Sequence, residues 1–379
     1  MKVIIAAAGT GGHINPGIAI ANKIKHEEPN SQIIFIGTNR GLENDLVPRA
    51  GYKLKTIQAY GFNRQISFDN IKKMYKTFRS IGEAKKIIEE FKPDLVVGTG
   101  GYICVPVGMV AKKKKIPIIL HESNAFPGIA IKMLSKKADT VLLGFKDAKD
   151  RIPNAKKVVV TGTPTKVKHV NISTSKRKQL LQELGLNENL PIVLCFGGSQ
   201  GAQSINESLI KIITKEKNTN YQIIWAAGST QYEIVKEKLQ KDQMDIEHLE
   251  NAKIVPYIYN MEEIMNMVDL VVCRSGAMTI TEISNVGKPA IFVPFPFATE
   301  NHQEYNARVL EKEGAAKIIL DKNLTADLLN ETIEGMVKDK TKLQQMGEKA
   351  RSVSIPDVEE RIYNVIKNVE KCHTKILAN

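Results

Sequence analysis

Short runs of Val, Ile, Leu and Ala recur along the chain, separated by longer stretches in which apolar residues return every three or four positions. Val3–Ala8, Ile33–Ile36, Leu95–Val97, Ile118–Leu120 and Val158–Val160 form one series; Ile192–Phe196, Ile223–Trp225, Lys253–Val255, Leu270–Val272 and Ala290–Val293 form a second. Continuous apolar runs of this length suit strands buried on both faces, and the amphipathic stretches between them predict covering helices. The pattern therefore predicts an α/β protein with two doubly wound, Rossmann-like parallel-sheet domains. Each series opens alike, with a strand, a glycine-rich turn and a helix: AAAGTGGHINPG at Ala6–Gly17 and FGGSQGAQS at Phe196–Ser204. The turn-rich Thr161–Lys166 marks a boundary, giving domains over 1–163 and 164–340 and C-terminal helices over 341–379. The last helical pattern, around Val358–Asn368, is expected to pack back on the first domain. Ligands of open α/β sheets sit beyond the carboxyl ends of the strands. Two such domains facing each other predict a cleft with a glycine turn on each lip.

Length agrees with this division, since 379 residues exceed one ordinary core. The 42% hydrophobic and 25% charged residues exclude a disordered chain. No apolar run approaches the roughly 20 residues that span a bilayer, and Val3–Ala8 is too short for a secretory signal, so the chain is expected to remain in the cytoplasm. Cys104, Cys195, Cys273 and Cys372 are scattered singly, which predicts reduced thiols with neither a disulfide framework nor a zinc site. Charge is unevenly spread. Residues 1–163 hold 27 Lys and Arg against 13 Asp and Glu, whereas 164–379 hold 27 against 28. The excess points to an anionic partner for the first half, a nucleic acid or an anionic membrane surface; a solubilising excess of lysine is the plainer alternative.

The first glycine turn, Gly9-Thr10-Gly11-Gly12-His13, ends a strand, and Pro16 suits the first turn of the helix that follows. Such a turn lets a ligand approach the backbone at a helix start that favours negative charge. A dinucleotide site is the rival, but Ile14 occupies the third glycine position and Ile36-Gly37-Thr38-Asn39-Arg40 ends the second strand without an acid. His13 stands at the mouth of the expected cleft as a candidate proton acceptor. His121-Glu122-Ser123-Asn124 ends another strand and offers Glu122 as a second candidate, or as a structurally paired carboxylate. In the second half, Cys273–Glu282 runs from a strand through Ser275-Gly276 into a helix. Its first N–H groups can hold a diphosphate, and Glu282, a turn further in, can accept ribose hydroxyls. Pro294–Ala307 is a proline-rich turn into a helix, where Gln303 and Asn306 could pair with sugar hydroxyls. No Asp-x-Asp motif occurs, so neither metal nor cofactor is expected.

Two basic features lie in the first half. Ile71, Met74, Tyr75 and Phe78 follow helical spacing and are flanked by Lys72, Lys73, Lys76 and Arg79, a basic amphipathic pattern suited to a membrane surface. Lys112, Lys113, Lys114 and Lys115 end another helix and exceed what a helix C-terminus needs. The aromatic stacking residues or motif that nucleic-acid binding expects are not evident, so no nucleic-acid partner is expected.

Taken together, GTGGHINPG (Gly9–Gly17), HESN (His121–Asn124), GGSQGAQSIN (Gly197–Asn206), CRSGAMTITEI (Cys273–Ile283) and HQEYNA (His302–Ala307) resemble the MurG family of N-acetylglucosaminyltransferases in order and spacing over nearly the whole chain. The resemblance implies the two-domain GT-B fold and transfer of N-acetylglucosamine, with inversion, from UDP-GlcNAc to the 4-hydroxyl of the muramoyl sugar of lipid I, giving lipid II. It implies a peripheral enzyme on the anionic inner leaflet of the cell membrane. It also implies site roles: Ile258 for uracil, Glu282 for ribose, Ser199 with Ala277, Met278, Thr279, Ile280 and Thr281 for the diphosphate, and Gln303 with Asn124 for the sugar. Thr10, Gly11 and Gly12 would close the site from the first domain. His13 matches the family's proposed base, or a residue orienting the acceptor diphosphate. Lys166 stands where the family often has an arginine and lacks its planar fork. The apolar patch at Ile71–Phe78 carries no tryptophan. Another GT-B transferase with a glycolipid acceptor, or a UDP-GlcNAc 2-epimerase, shares the layout.

Overall fold

The computed structural model describes residues 1–59, 68–215, 220–246 and 248–378, with backbone alone for helical residues 68–78 and 374–378. The chain divides into two compact units. The first comprises Met1–Thr165 and the chain from Ile355 onward; the second is Lys166–Ser354.

The first unit runs β1 (Lys2–Ala7), α1 (Gly11–Glu27), β2 (Gln32–Gly37), α2 (Glu43–Arg49), β3 (Lys53–Thr56), α3 (Phe68–Phe91), β4 (Leu95–Gly100), α4 (Cys104–Lys113), β5 (Ile118–Glu122), α5 (Ile129–Leu134), β6 (Thr140–Leu143) and β7 (Val158–Val160). The second runs α6 (Thr174–Leu184), β8 (Ile192–Phe196), α7 (Gln203–Lys215), β9 (Gln222–Ala226), α8 (Tyr232–Lys241), β10 (Ala252–Val255), α9 (Met261–Met267), β11 (Leu270–Cys273), α10 (Ala277–Val286), β12 (Ala290–Phe292), α11 (His302–Lys312), β13 (Ala316–Ile318), α12 (Ala326–Val337) and α13 (Lys340–Ser352). Helix α14 (Val358–Ala378) returns to the first unit.

All pairings are parallel, in the orders β3-β2-β1-β4-β5-β6-β7 and β10-β9-β8-β11-β12-β13. In β1, Ile4 and Ala6 enter one apolar layer with residues of α3 and α4, while Val3, Ile5 and Ala7 enter another with α1 and α14. This two-sided burial is why the strands read as unbroken apolar runs. Helix α13 packs on α10, whereas α14 packs on α1 and adds Ile362 and Ile366 to the first core. The segment 341–379 is thus shared between the units.

Strands β3, β6 and β13 have no counterpart in the sequence expectation. KLKT is an edge strand with lysines on alternate positions, a pattern that discourages edge pairing and reads as surface. TVLL and AKI are too short to stand out from their flanks. Pro16 is not in the first turn of its helix. Because α1 already begins at Gly11, the proline lies inside it and the Gly12 carbonyl lacks its usual helical donor.

The strand order fixes where ligands can approach. In the first sheet the order reverses between β1 and β4; in the second it reverses between β8 and β11. Loops leaving the carboxyl ends at such a switch diverge and open a crevice. Both glycine turns are in those loops.

Candidate active site

In the first unit the chain leaves β1 through Gly9, whose φ of +94° suits glycine alone, and enters α1 with Thr10 as an N-cap that makes no side-chain bond. His13 is half-buried at the third position of α1. Its Nδ1 lies 3.1 Å from the Ala8 carbonyl. A carbonyl only accepts, so Nδ1 carries the proton and Nε2 keeps its lone pair. Burial lowers the imidazole pKa, opposed by the Ala8 bond and by the charge of Glu43. The ring is framed by the loop after β4, where a Cβ on Gly100 would stand 2.3 Å from His13 Cδ2, and one on Gly101 2.7 Å from the Ala8 carbonyl. Thr99 Oγ1 donates to the His13 carbonyl at 2.7 Å. The switch-point loops therefore leave room for one imidazole with its Nδ1 side committed.

Glu122 ends β5 and is buried. Its carboxylate accepts from the Asn124 N–H at 2.8 Å, the Asn124 side-chain amide at 3.0 Å and the Gly128 N–H at 2.8 Å, tying down the turn beyond the strand. His121 is buried too; Nε2 donates to the Gly162 carbonyl at 3.0 Å, and burial pushes its pKa down to about 4. Thr10 and Lys166 are exposed. Lys114 is paired with Glu89 at 2.5 Å, while Lys112 stands beside Lys156, whose like charge lowers its pKa. Ile71, Lys72, Lys73, Met74, Tyr75, Lys76 and Phe78 lie where α3 is described by its backbone alone, so their side chains are outside the described residues; Arg79 is exposed.

In the second unit, α10 starts at Ala277 behind Gly276, which has extended backbone and no side chain to cap with, and no acidic residue lies in the first turn. Ile280 is fully buried and its N–H donates to the Gly276 carbonyl at 3.0 Å. Thr281 Oγ1 donates to the Ala277 carbonyl at 2.9 Å. Of the stretch Ala277–Thr281, the N–H groups of Ala277, Met278 and Thr279 are the ones left without a described partner. Uncapped donors at the positive end of a helix dipole form an anion site.

A groove of ≈ 500 Å³ lies against this helix start, walled by the Gly197–Ser204 turn, Arg274, Phe295–Phe297 and Gln303. Gln303 Oε1 accepts the Ser275 N–H at 3.2 Å and the Phe295 N–H at 3.0 Å. Its Nε2 is thereby left as a donor on the groove wall. Asn306, expected at sugar hydroxyls, is instead fully buried and holds the Ser275 carbonyl at 3.2 Å. Arg274 does not face a ligand freely either: it reaches Asp321 at 2.5 Å, Ser204 Oγ at 3.0 Å and the Val293 carbonyl at 3.0 Å.

Ser199 is exposed, its carbonyl accepting from Ser229 N–H at 3.1 Å. Ile258 lies in the loop after β10 with a buried side chain and no described partner for its backbone N–H or carbonyl. Glu282 is half-buried in the second turn of α10. Another groove, of ≈ 460 Å³, opens in the first unit at the amino ends of β2 and β3, the wrong end of the sheet for a switch-point ligand. Among the described residues no group of three or more His, Cys, Asp or Glu could hold a metal ion.

Residues 3–143 match the glycosyltransferase family 28 N-terminal domain and 192–362 the family's C-terminal domain. A UDP-N-acetylglucosamine--N-acetylmuramyl-(pentapeptide) pyrophosphoryl-undecaprenol N-acetylglucosamine transferase of Acetivibrio thermocellus is 45% identical over 372 residues, 98% of this chain and 99% of that one. The chain belongs to the MurG family of glycosyltransferases. The crystal structure of Acinetobacter baumannii MurG matches with a TM-score of 0.77 at 29% identity, over 97% of this chain and 99% of that chain. A UDP-GlcNAc 2-epimerase from Neisseria meningitidis, bound to UDP-GlcNAc, matches with a TM-score of 0.65 at 15% identity, over 97% and 100% of the two chains, which is a likeness of fold alone.

Three parts of this MurG-family site escaped the sequence reading. Gly100 and Gly101 shape the His13 pocket, signalled only by the pair of glycines after an apolar run. Asn206, fully buried, donates to the Ala227 carbonyl at 2.9 Å and accepts from Trp225 Nε1 at 3.0 Å, backing the second glycine turn. Glu43 is buried beneath the first turn, its Oε2 accepting the Gly9 N–H at 2.9 Å; its surroundings, GLENDLVP, read as an exposed helix start.

Proposed function

We propose that this MurG-family protein transfers N-acetylglucosamine from UDP-GlcNAc to the muramoyl 4-hydroxyl of lipid I, releasing UDP and giving lipid II. The donor diphosphate meets the open N–H groups of Ala277, Met278 and Thr279, with Ser199 beside it; uracil meets the Ile258 backbone, ribose Glu282, and the sugar Gln303. Asn124, Thr10, Gly11, Gly12 and Lys166 complete the contacts. His13 Nε2 takes the proton of the acceptor hydroxyl as its oxygen bonds to the anomeric carbon from the face opposite the diphosphate. The bond to the diphosphate oxygen breaks, its electrons leave with UDP, and the configuration inverts. Helix N–H groups stabilise the charge on the leaving group. Glu122, with both oxygens engaged by its own turn, serves to hold Asn124 and leaves the proton transfer to His13.

The observation that carries this reading is the uncapped start of α10 beside Gln303, a built place for a diphosphate next to a donor for sugar oxygens. Near full-length likeness to named N-acetylglucosamine transferases favours transfer over epimerisation. Radiolabelled UDP-GlcNAc with a lipid I analogue tests it: label should enter the lipid only with acceptor present, one UDP per transfer. Acceptor-independent conversion of the donor to its 2-epimer would sink the reading.

For the surface that meets lipid I, we infer contact with an anionic leaflet. Among the described residues no helix is long and apolar enough to cross a membrane. Helices α4 and α5 pack on each other, expose Met109, Ile129 and Met133, and carry Lys112, Lys113 and Lys132. Lys114, Lys115 and the Ile71–Arg79 stretch extend this basic, apolar character along the chain. Each exposed lysine near such a surface contributes about 1 kcal/mol. Sedimentation with phosphatidylglycerol vesicles should show binding that weakens as salt rises; no binding at low salt would remove the surface from the account.

A further inference from the structure

Glu43 lies outside every motif that carries the family likeness, yet the first switch point is built around it. Its carboxylate is fully buried. Oε2 accepts the Gly9 N–H at 2.9 Å; Oε1 accepts the Thr38 N–H at 2.8 Å and the Thr38 hydroxyl at 2.7 Å. Gly9 follows β1 and Thr38 follows β2, so one side chain clamps the ends of two neighbouring strands. Two glycines leave it the space: a Cβ on Gly41 would sit 2.0 Å from Oε2, and one on Gly37 2.7 Å from the Glu43 Cγ. Burial alone would raise the carboxyl pKa, but the Thr38 and Gly9 bonds outweigh it and hold the group below its ordinary value, so it is an anion.

Its partners are donors, and a glutamine would have to turn its own NH2 toward one of them. No lysine, arginine or histidine forms an ion pair with it among the described residues, so the negative charge is not cancelled locally. Glycine turns at helix starts in this fold commonly receive a phosphate; here an internal carboxylate is already seated against the turn.

We propose that Glu43 is a positioning residue for His13: it fixes the Gly9 turn from beneath and sets a permanent negative charge that stabilises the imidazolium formed when Nε2 takes the acceptor's proton. The inference rests on His13 being the base. The other groups around the imidazole are uncharged. They are the Ala8 carbonyl just after β1, and Gly100 and Gly101 from the end of β4 and the loop after it. The charge acting on it is that of Glu43. A carboxylate supporting a histidine base in this way is a recurrent device of acyl-transfer sites, reached here through the backbone of a glycine turn.

The test is a pH series of kcat/KM, with donor affinity by calorimetry, on the wild-type protein and four variants. Glu43→Gln should lower kcat about tenfold or more while leaving the Kd for UDP-GlcNAc within about twofold. It should also move the acid limb to lower pH, because the charge that raises the His13 pKa is gone. Combined with His13→Ala it should add almost nothing to the loss. Glu43→Asp, which keeps the charge but shortens the reach, should lower kcat several-fold with the limb unmoved; it decides the matter if Glu43→Gln fails to fold. Unchanged kcat and limb in Glu43→Gln, or unchanged kcat in Glu43→Asp, would overturn the proposal while His13→Ala still abolishes turnover. If His13→Ala itself retains turnover, the base assignment fails first.

Discussion

The two switch points occupy the same place in two similar sheets, yet they are furnished in opposite ways. The turn after β1 has its own anion seated against Gly9 and a histidine three residues into the helix region that follows, its Nδ1 committed to the Ala8 carbonyl. The helix that starts beside the turn after β8, α10, has neither: its N-cap is Gly276, its first turn holds no acid, and three N–H groups have no partner among the described residues. The first is disposed to handle a proton and the second to receive a negative ligand. The lesson is that the fold provides the position, while capping and nearby charge decide what the position binds.

Removing the proton handler should have the largest effect. His13→Ala is expected to lower kcat by about 10²–10⁴ with the UDP-GlcNAc Kd nearly unchanged in calorimetry. Parallel, small changes in both would erase the distinction between the switch points. Giving the start of α10 an anion of its own is the converse experiment. Gly276→Asp has room, since the nearest atom to a new Cβ is 3.9 Å away. An aspartate N-cap should raise thermal stability slightly, by about 0.3 kcal/mol, and at the same time weaken UDP binding by roughly tenfold to a hundredfold through like charge at the diphosphate. Unaltered UDP affinity would mean that the diphosphate sits elsewhere.

A further difference between the units concerns acid. His121 in the first unit is buried with its pKa near 4, against 6.5 for the free side chain. Above both values it is neutral folded or unfolded and contributes no pH dependence. As pH falls from about 6.5 to 4 the unfolded chain takes up a proton that the folded one refuses, so stability should fall, by up to about 3 kcal/mol. Denaturant melts of wild type and His121→Gln across this window should diverge in slope; identical slopes would contradict the burial argument. The smallest expected effect is at the sugar. Gln303→Leu should weaken UDP-GlcNAc about tenfold and UDP hardly at all, which separates the sugar contact from the diphosphate contact at one groove.

Much of this was legible in the chain. Strands such as VIIAA and IVLCF, buried on both faces, leave an unbroken apolar run, and the Gly9–His13 and Ser275–Gly276 turns follow strands directly. What was not legible depended on residues far apart in sequence. Glu43 reads as a surface acid until β2 brings Thr38 beside Gly9. Asn306 reads as a sugar ligand until α11 turns it onto the Ser275 carbonyl. Ile280 and Thr281 look like part of the anion site until the helix begins at Ala277 and consumes their N–H groups. Lysine-bearing β3 is hidden because an edge strand must resist pairing, and so looks like surface.

The central claim is that the donor's diphosphate is held at the start of α10 and not at the glycine turn that carries the histidine. Backbone amide shifts during titration of the protein with UDP test this most directly. The account predicts that Ala277, Met278 and Thr279 move in proportion to occupancy while Gly9, still bonded to Glu43, stays in place. Movement at Gly9–Gly12 with Ala277–Thr279 unmoved would contradict it.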